Sequence, residues 1–280
     1  MTTFVFPKLQ AEVVEILPES LTAIGIHGAH VFTTLEGHNP GGSIKDHMVL
    51  QEFKALMEIG KISRGALISE VSAGSTALSL AYYGKLLGLE CHLFLPQDAP
   101  DETQKKLKEL GAYLHLHERA VLYVKHEEFS KKNKSYDFNQ LYDQKKTSRY
   151  HALGQHLKNE LGSVDLLIGA VGTGHSLKGV ATGLQARHVF CAEPQDFRVN
   201  GVRNIESDRY GEKDPLLLND FEQRILVTQD ECIAQTDYLV KNGSIRVGES
   251  FRLVLSAIKK ISANKKSSRI LALGANNKRI

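Results

Sequence analysis

The sequence predicts an α/β fold in which a mostly parallel sheet carries helices on both faces. Short apolar segments alternate with helical patterns along most of the chain, which is typical of βαβ units. Turns rich in glycine or serine join several of these strands to the helices that follow. With 280 residues, the chain is long enough for about two domains.

The individual elements follow from apolar spacing and from the residues that end each segment, such as Gly60, Gly88, Pro96 and Gly111. Helices are predicted at about 10–17, 44–59, 76–87, 102–110, 151–161, 177–185, 231–241 and 248–261. Strands are predicted at about 30–35, 65–68, 90–95, 112–117, 164–171, 189–193 and 269–273. The pattern weakens between residues 119 and 149, and 200–215 is expected to be a loop.

Lys45 follows a glycine-rich turn and lies in the first turn of a predicted helix. Pro40, Gly41 and Gly42 favour the turn, and Ser43 can cap the helix. The partial positive charge at a helix N-terminus lowers the pKa of a lysine there. Since only a neutral amine attacks a carbonyl, this position suits covalent chemistry. The spacing alone is equally consistent with a lysine that projects into water.

A second loop, Gly172–Ser176, joins a buried strand to a helix. Its glycines let the backbone approach an anion, and the helix adds its positive end, so the loop is suited to phosphate. A dinucleotide fingerprint is an alternative: Glu193 stands where a ribose-binding acid would lie, but Leu177 replaces the third glycine. Tight packing between strand and helix is a third interpretation.

The segment Glu70–Ala77 also joins a strand to a helix, and its hydroxyl and N–H groups suit a carboxylate. A simple helix cap at Ser75 or Thr76 would explain part of this pattern.

The sequence of the lysine segment, Asn-Pro-Gly-Gly-Ser-Ile-Lys-Asp at 39–46, resembles the lysine motif of the cysteine synthase family. The resemblance implies a fold-type II (tryptophan synthase β-like) enzyme, with two parallel-sheet domains and pyridoxal 5′-phosphate in the cleft between them. It also implies that Lys45 is the catalytic residue and holds the cofactor as a Schiff base. In the same family, the loop that matches Gly172, Thr173, Gly174, His175 and Ser176 holds the cofactor phosphate.

The resemblance further assigns the substrate-binding residues. Ser72, Gly74 and Thr76 match the loop that grips the substrate carboxylate, and Ser75 replaces an asparagine that contacts the cofactor. Gln140 resembles a glutamine that contacts the same carboxylate. Arg203 resembles an arginine that meets a substrate phosphate, although an exposed loop arginine would explain it equally well.

Four positions depart from the family pattern, namely Ala73, Ser75, His175 and Val247. Arg246 and Val247 stand where the family places serines, one of which faces the pyridine nitrogen. Either Ser244 or Ser250 is expected to take over that contact, or the nitrogen lacks its usual neutral partner.

The resemblance implies a large domain, 1–36 with 145–280, that binds the cofactor phosphate, and a small mobile substrate domain, 37–144. The expected reaction is β-replacement or β-elimination on a serine- or cysteine-type amino acid that carries a leaving group. One alternative is a pyridoxal-phosphate-binding protein with little or no turnover, motivated by the four departures. Another is an enzyme that binds a nicotinamide dinucleotide through Gly172, Gly174 and Glu193. A homodimer is implied by the family.

Composition adds bounds on partners and location. A net charge of +3 gives no reason to expect nucleic acid or a membrane surface as partner. Cys91, Cys191 and Cys232 are far apart, as expected of reduced thiols in a cytoplasmic protein. No signal peptide is readable between Met1 and Ser20, and no apolar run is long enough to span a membrane. His115 and His117 would share one face of a strand, but without a further ligand no metal site is expected.

Overall fold

Helices and strands alternate along most of the chain in the computed structural model of the protein, so the predicted α/β class is confirmed. The structure describes residues 6–9, 11–208, 214, 220–234, 237–262 and 268–280. The chain divides into two units, each with its own parallel sheet: Met1–Leu9 with Asn39–Asp143, and Gln10–His38 with Gln144–Ile280. The predicted roles of the two domains, phosphate binding in one and mobility in the other, stay predictions.

The strands are numbered in chain order. They are β1 (Val13–Glu15), β2 (Ala29–Thr34), β3 (Leu67–Val71), β4 (Glu90–Pro96), β5 (Tyr113–His117), β6 (Tyr136–Asp137), β7 (Leu166–Ala170), β8 (Val189–Pro194), β9 (Gln223–Val227), β10 (Asp237–Val240), β11 (Gly243–Arg246), β12 (Ser268–Ala272) and β13 (Lys278–Arg279).

The helices are numbered in the same way. They are α1 (Pro18–Ala23), α2 (Lys45–Glu58), α3 (Ser75–Leu87), α4 (Asp101–Glu109), α5 (Leu122–Asn133), α6 (His151–Leu161), α7 (His175–Leu184) and α8 (Glu249–Ser262). Short 3₁₀ helices occur at Glu36–His38 and Gln144–Tyr150. No helix among the described residues has both the length and the apolar character that a bilayer crossing requires.

The first unit is built on a parallel sheet in the order β5-β4-β3-β6. Side chains of β4 alternate between its faces. On one face, the Cys91 thiol donates to the Leu80 carbonyl of α3 at 3.2 Å. On the other, His92 and Phe94 contact the Phe129 ring of α5. Helices therefore cover both faces of this sheet.

The second unit is built on a sheet in the order β1-β2-β12-β7-β8-β9, in which only β1 runs antiparallel to its neighbour. Helix α8 packs on β7, β8 and β9, and its apolar face joins the buried core of this unit. Helix α7 packs against β7 and α6. The loop after β7 leads directly into α7, so the predicted phosphate loop lies at the C-terminal end of a central strand, where open α/β sheets bind ligands.

Two predicted helices are wrong. Residues 13–15 form strand β1, paired with β2, and 237–240 form strand β10, paired with β11; Gln10 and residues 235–236 lie outside the described residues. Lys241 and Asn242 connect β10 to β11; Asn242 has φ of 78°, and Gly243, with φ of 148°, is the first residue of β11. An Asn-Gly pair between two strands is a strong hairpin signal, and it overrides the helical spacing there.

Helix α5 and strand β9 were not predicted. In α5, the buried residues are Leu122 and His126, so the helix shows almost no apolar periodicity. It is nevertheless required, because it covers a sheet face that carries rings rather than aliphatic side chains.

This face carries an interleaved stack of five rings, which we call the ring stack. In spatial order it consists of Tyr113, His92, His115, Phe94 and His117, contributed alternately by β5 and β4. Successive ring centroids lie 4.7, 5.3, 4.4 and 6.0 Å apart, and the planes differ by no more than 28°. Nδ1 of His92 and Nε2 of His115 share a hydrogen bond of 3.0 Å, so one of the two nitrogens must carry no proton.

The ring stack should make this unit sensitive to acid. Burial lowers the pKa of His92, His115 and His126, and the charges of His92 and His117 further lower that of His115. A histidine with a lowered pKa in the folded state binds protons more readily when unfolded. The contribution of such a histidine to the stability of the folded state is therefore complete above about pH 6.5 and is lost as the pH falls from there through the folded-state pKa.

We expect the free energy of unfolding to fall below about pH 6.5, by up to roughly 1.4 kcal/mol per pH unit for each histidine. The measurement is urea unfolding at several pH values. His92→Phe, which keeps a ring but removes one titrating group, should flatten this fall. His27→Gln, at an exposed histidine, is the matched control and should leave it unchanged. Equal acid sensitivity in all three proteins would contradict the role of the stack.

Candidate active site

The turn that carries Lys45 is fixed by its own backbone and side chains. Asn39 accepts from the Gly42 N–H at 2.7 Å, and its side-chain amide donates to the Ser43 carbonyl at 3.2 Å. The Ser43 hydroxyl accepts from the Lys45 N–H, the first N–H of α2, at 3.2 Å, but the N-cap residue of the helix is Ile44 rather than the predicted Ser43. Gly42 has φ of +81°, a conformation that favours glycine.

Asp46 clamps this turn onto α3. Its buried carboxylate accepts from the Gly41 N–H at 2.6 Å and from the Ser79 hydroxyl. A Cβ on Gly41 would lie 2.2 Å from Oδ1 of Asp46, so only glycine allows this approach. Burial raises the pKa of Asp46, while the bonds from Ser79 and Gly41 oppose that shift. Burial and the Asp46 charge raise the pKa of the adjacent Tyr83 hydroxyl.

The lysine itself has the electrostatics that carbonyl chemistry requires. Lys45 is partly buried, and the loss of hydration lowers the pKa of its ammonium group to about 8. At pH 7, roughly one such amine in ten is neutral, against fewer than one in a thousand for an ordinary lysine. The direction agrees with the prediction. The stated cause differs, because burial rather than the helix terminus dominates.

The predicted carboxylate loop lies at the end of β3, and helix α3 begins at Ser75. Ser72 accepts from the Gly74 N–H at 3.4 Å, and Gly74 and Ser75 are exposed. The first N–H groups of a helix have no carbonyl partner within it, so this end of α3 presents donors to an anion.

The structure brings Gln140 to this loop. The Thr76 hydroxyl donates to Oε1 of Gln140 at 2.5 Å, which leaves the side-chain N–H groups of Gln140 as donors. The buried Glu70 carboxylate accepts from the N–H groups of Val71 and Gln140, both at 2.9 Å, and thereby ties the two segments together. Thr76 and Gln140, 64 residues apart, thus lie together in the first unit, and their predicted role in binding a carboxylate stays a prediction.

The phosphate loop follows β7 in the second unit. A Cβ on Gly172 would lie 2.5 Å from the Gly201 carbonyl oxygen, so the neighbouring loop leaves no room for a side chain. Gly174 has φ of +82° and directly precedes α7. Thr173 and Ser176 are partly buried, so their hydroxyls remain within reach of a ligand. A helix N-terminus with free N–H groups fits a phosphate.

His175, which stands at a glycine position of the resembling family, is buried in the first turn of α7. Its Nδ1 lies 2.8 Å from the Thr147 hydroxyl. The imidazole is thus held by the 3₁₀ helix that packs on α7. Nothing in the sequence pattern marks Thr147, because it lies in a stretch without periodicity.

Arg203 is buried, so the alternative that it is an exposed loop arginine is wrong. Its guanidinium forms a bidentate ion pair with Asp214, at 2.6 and 2.7 Å, and donates to the Asp208 carbonyl at 2.9 Å. Its N–H donates to the Val171 carbonyl at 2.9 Å. Arg203 therefore supports the phosphate loop through its backbone while its side chain faces a carboxylate.

The carboxylate of Glu193 is engaged by contacts within the protein, so it is not available to bind the ribose of a dinucleotide. It is fully buried, pairs with Nε of Arg224 at 2.6 Å, and accepts from the Ile205 N–H at 2.8 Å. These contacts anchor the loop after β8 that packs on the phosphate loop.

The two serines expected near the pyridine nitrogen lie in different elements of the second unit. Ser244 lies in β11, opposite Leu239 of β10, and Ser250 lies in the first turn of α8. Their proposed role stays a prediction. Across the described ranges, no three His, Cys, Asp or Glu side chains are arranged to hold a metal ion.

Comparisons with known proteins agree with this geometry. The family model described as pyridoxal-phosphate dependent enzyme matches residues 18–273. A cysteine synthase of Aquifex aeolicus is 26% identical over 250 residues, which cover 84% of this chain and 74% of that protein. An O-acetylserine dependent cystathionine beta-synthase of Bacillus subtilis is 35% identical over 85 residues, 30% of this chain and 28% of that protein.

The fold has solved counterparts. The crystal structure of a cysteine synthase from Entamoeba histolytica superposes with a TM-score of 0.79 at 19% identity, covering 96% of this chain and 85% of that one. The resemblance read from the lysine and glycine motifs is thus confirmed, and so is the cofactor that it implies. The chain belongs to the family of pyridoxal-phosphate-dependent enzymes.

Proposed function

We propose that this enzyme catalyses β-replacement or β-elimination on a serine- or cysteine-type amino acid that carries a leaving group, with Lys45 as the catalytic residue. The observation that carries the proposal is the position of Lys45, partly buried with a pKa of about 8 and clamped through Asp46. The named activities of the cysteine synthase relatives support the reaction class.

The residues of the chain fit the cofactor. Gly172, Thr173, Gly174, His175 and Ser176 would hold its phosphate at the N-terminus of α7, and Ser75 would lie near its ring. When bound, pyridoxal phosphate supplies the electron sink that stabilises negative charge at the substrate α-carbon.

Lys45 has two tasks in the reaction. As a neutral amine it anchors the cofactor, and once displaced by the substrate amine it takes the proton from the α-carbon as general base. A base works best when its pKa is near the working pH, which a pKa of about 8 satisfies. Asp46 does not touch the reacting atoms; it positions the turn from which Lys45 projects.

The substrate carboxylate would bind at the start of α3. Ser72 and Gly74 offer hydroxyl and N–H donors, Thr76 offers its backbone N–H in the first turn of α3, and Gln140, whose Oε1 accepts from the Thr76 hydroxyl, adds its side-chain N–H groups. Because Arg203 is paired with Asp214, we do not assign it a substrate phosphate, and the proposal needs no second anionic group.

The low-turnover alternative is not favoured by the relatives, which are named as synthases. The test is to supply the purified enzyme with O-acetylserine and sulfide and to measure cysteine by mass spectrometry. Thr76→Val should raise KM for the amino acid about tenfold, because Gln140 loses the bond that orients its amide toward the carboxylate, and a hydrogen bond to a charged group contributes roughly 1.5–3 kcal/mol. Its affinity for pyridoxal phosphate should not change.

The exposed Thr22→Val is the matched control and should behave like the parent enzyme. The reaction proposal fails if neither cysteine nor an elimination product forms from O-acetylserine, O-phosphoserine or cysteine while the cofactor is bound at Lys45.

The lowered pKa of Lys45 predicts the pH dependence of cofactor capture. Because the neutral amine reacts, the rate at which cofactor-free protein binds pyridoxal phosphate should rise about tenfold per pH unit and level off near pH 8. Stopped-flow absorbance measures this rate, and borohydride reduction with peptide mapping locates the adduct at residue 45. A rate that still rises tenfold between pH 9 and 10 would show an ordinary lysine, and Lys45→Ala should yield no adduct.

The crowding at Gly172 predicts a selective effect on the cofactor. In Gly172→Ala the new methyl group would push against the Gly201 carbonyl and distort the loop, so affinity for pyridoxal phosphate should fall at least tenfold. Gly74→Ala is the matched control, since no atom lies within 4 Å of its added Cβ. Equilibrium dialysis measures both affinities. Equal affinity in the two variants would remove the phosphate loop from the proposal.

We also propose that the enzyme is a homodimer, as the family resemblance implies. Analytical ultracentrifugation of the purified protein tests this directly.

A further inference from the structure

A cavity of about 390 Å³ opens beside the ring stack, between β4, β5 and α5. Its walls include the rings of Phe94, His115, His117 and Phe129 and the side chains of Lys125 and Lys132. The volume lies within the range of small-molecule sites. None of these residues takes part in the reaction proposed above, and all belong to the first unit.

The ring stack ends at the cavity with His117, and the Phe94 ring beneath it is buried. Phe94 stacks on His115 with centroids 4.4 Å apart and planes 9° apart, and His117 continues the ring stack at 6.0 Å. Phe129 of α5 stands at 61° to Phe94 and also lines the cavity. A stack that ends at a cavity offers the next position to another planar ring, which gains both burial and offset stacking.

The rim of the cavity carries two lysines, Lys125 and Lys132, and one carboxylate, Glu128, so its net charge is positive. Lys125 and Lys132 are seven residues apart on α5 and therefore share one face of the helix. Lys125 pairs with Glu128 at 2.8 Å. Within the described ranges, no carboxylate lies at ion-pair distance from Lys132, so the rim retains a positive charge for a ligand.

A metal ion does not explain this arrangement. The nitrogen atoms of His92 and His115 that face each other are used in their shared hydrogen bond, and no metal-binding group of three ligands occurs among the described residues. An aliphatic anion would leave the ring faces uncovered. The combination of stacked rings with lysines is instead the pairing that recognises a flat ring and its charged substituent.

We propose that this cavity binds a planar aromatic molecule that carries a carboxylate or phosphate group. The ring lies against His117, the last ring of the stack, and the anionic group lies at Lys132. This inference does not depend on the proposed reaction, because it uses neither Lys45 nor the two anion-binding loops.

The test is calorimetric titration of the full-length enzyme saturated with pyridoxal phosphate. Adenosine monophosphate carries a phosphate and an aromatic ring, and 2-naphthoate carries a carboxylate on an aromatic ring. Ribose 5-phosphate and cyclohexanecarboxylate carry the same groups without an aromatic ring. We expect the aromatic probes, or one of them, to bind with a dissociation constant of about 1 mM or tighter, and the non-aromatic probes to bind at least tenfold more weakly.

Variants locate the bound probe. His117→Ala should weaken binding about tenfold, while His117→Phe, which keeps a ring, should retain it. Lys132→Gln should weaken binding two- to fivefold. Lys131→Gln removes the same charge from the next position of α5, which pairs with Glu127 and does not line the cavity, so it should have no effect.

Binding of only one aromatic probe would also support the site. The proposal is overturned if neither aromatic probe binds, or if binding is the same in His117→Ala and Lys132→Gln as in the parent enzyme. It is also overturned if the probe changes the absorbance of the bound cofactor, because the ligand would then lie at the active site. Since no turnover is measured, these results are independent of whether the proposed reaction occurs.

Discussion

The buried carboxylate of Asp46 is the constraint on which the lysine turn depends. It joins the Gly41 N–H, on one side of Lys45, to the Ser79 hydroxyl of a helix far along the chain. A buried carboxylate costs free energy unless it is fully hydrogen-bonded, and these donors offset that cost. Lys45 therefore projects from a fixed backbone. Its burial lowers the pKa of its ammonium group, and the bonds of Asp46 keep the turn in place.

A similar principle holds the phosphate loop in the second unit. Two ion pairs, Arg203 with Asp214, which is buried, and the buried Glu193 with the partly buried Arg224, anchor the segment whose Gly201 carbonyl packs on Gly172. Breaking such a pair on one side is strongly destabilising, because the remaining charge stays buried. Arg203 and Glu193, which the sequence suggested as ligand contacts, thus stabilise the segment that packs on the phosphate loop.

Local motifs could be predicted from the sequence because glycine turns and helix starts depend on neighbouring residues. This explains why the lysine turn, the strand before Gly172 and the start of α7 were anticipated. Partners distant in sequence could not be inferred: neither Ser79 beneath Asp46 nor Thr147 beside His175 carries a local signal. Helix α5 was missed because it packs on rings, and β10 because helical spacing hid a hairpin turn.

Strand β3 carries adjacent polar residues that serve opposite faces of its sheet. Ser69 bonds to His126 of α5 and to Ser135, on the side of the ring stack, whereas Glu70 holds the segment that contains Gln140. Ser69 and Glu70 are consecutive residues, so a single peptide bond joins the contacts on the ring-stack side of the sheet to the segment that carries Gln140.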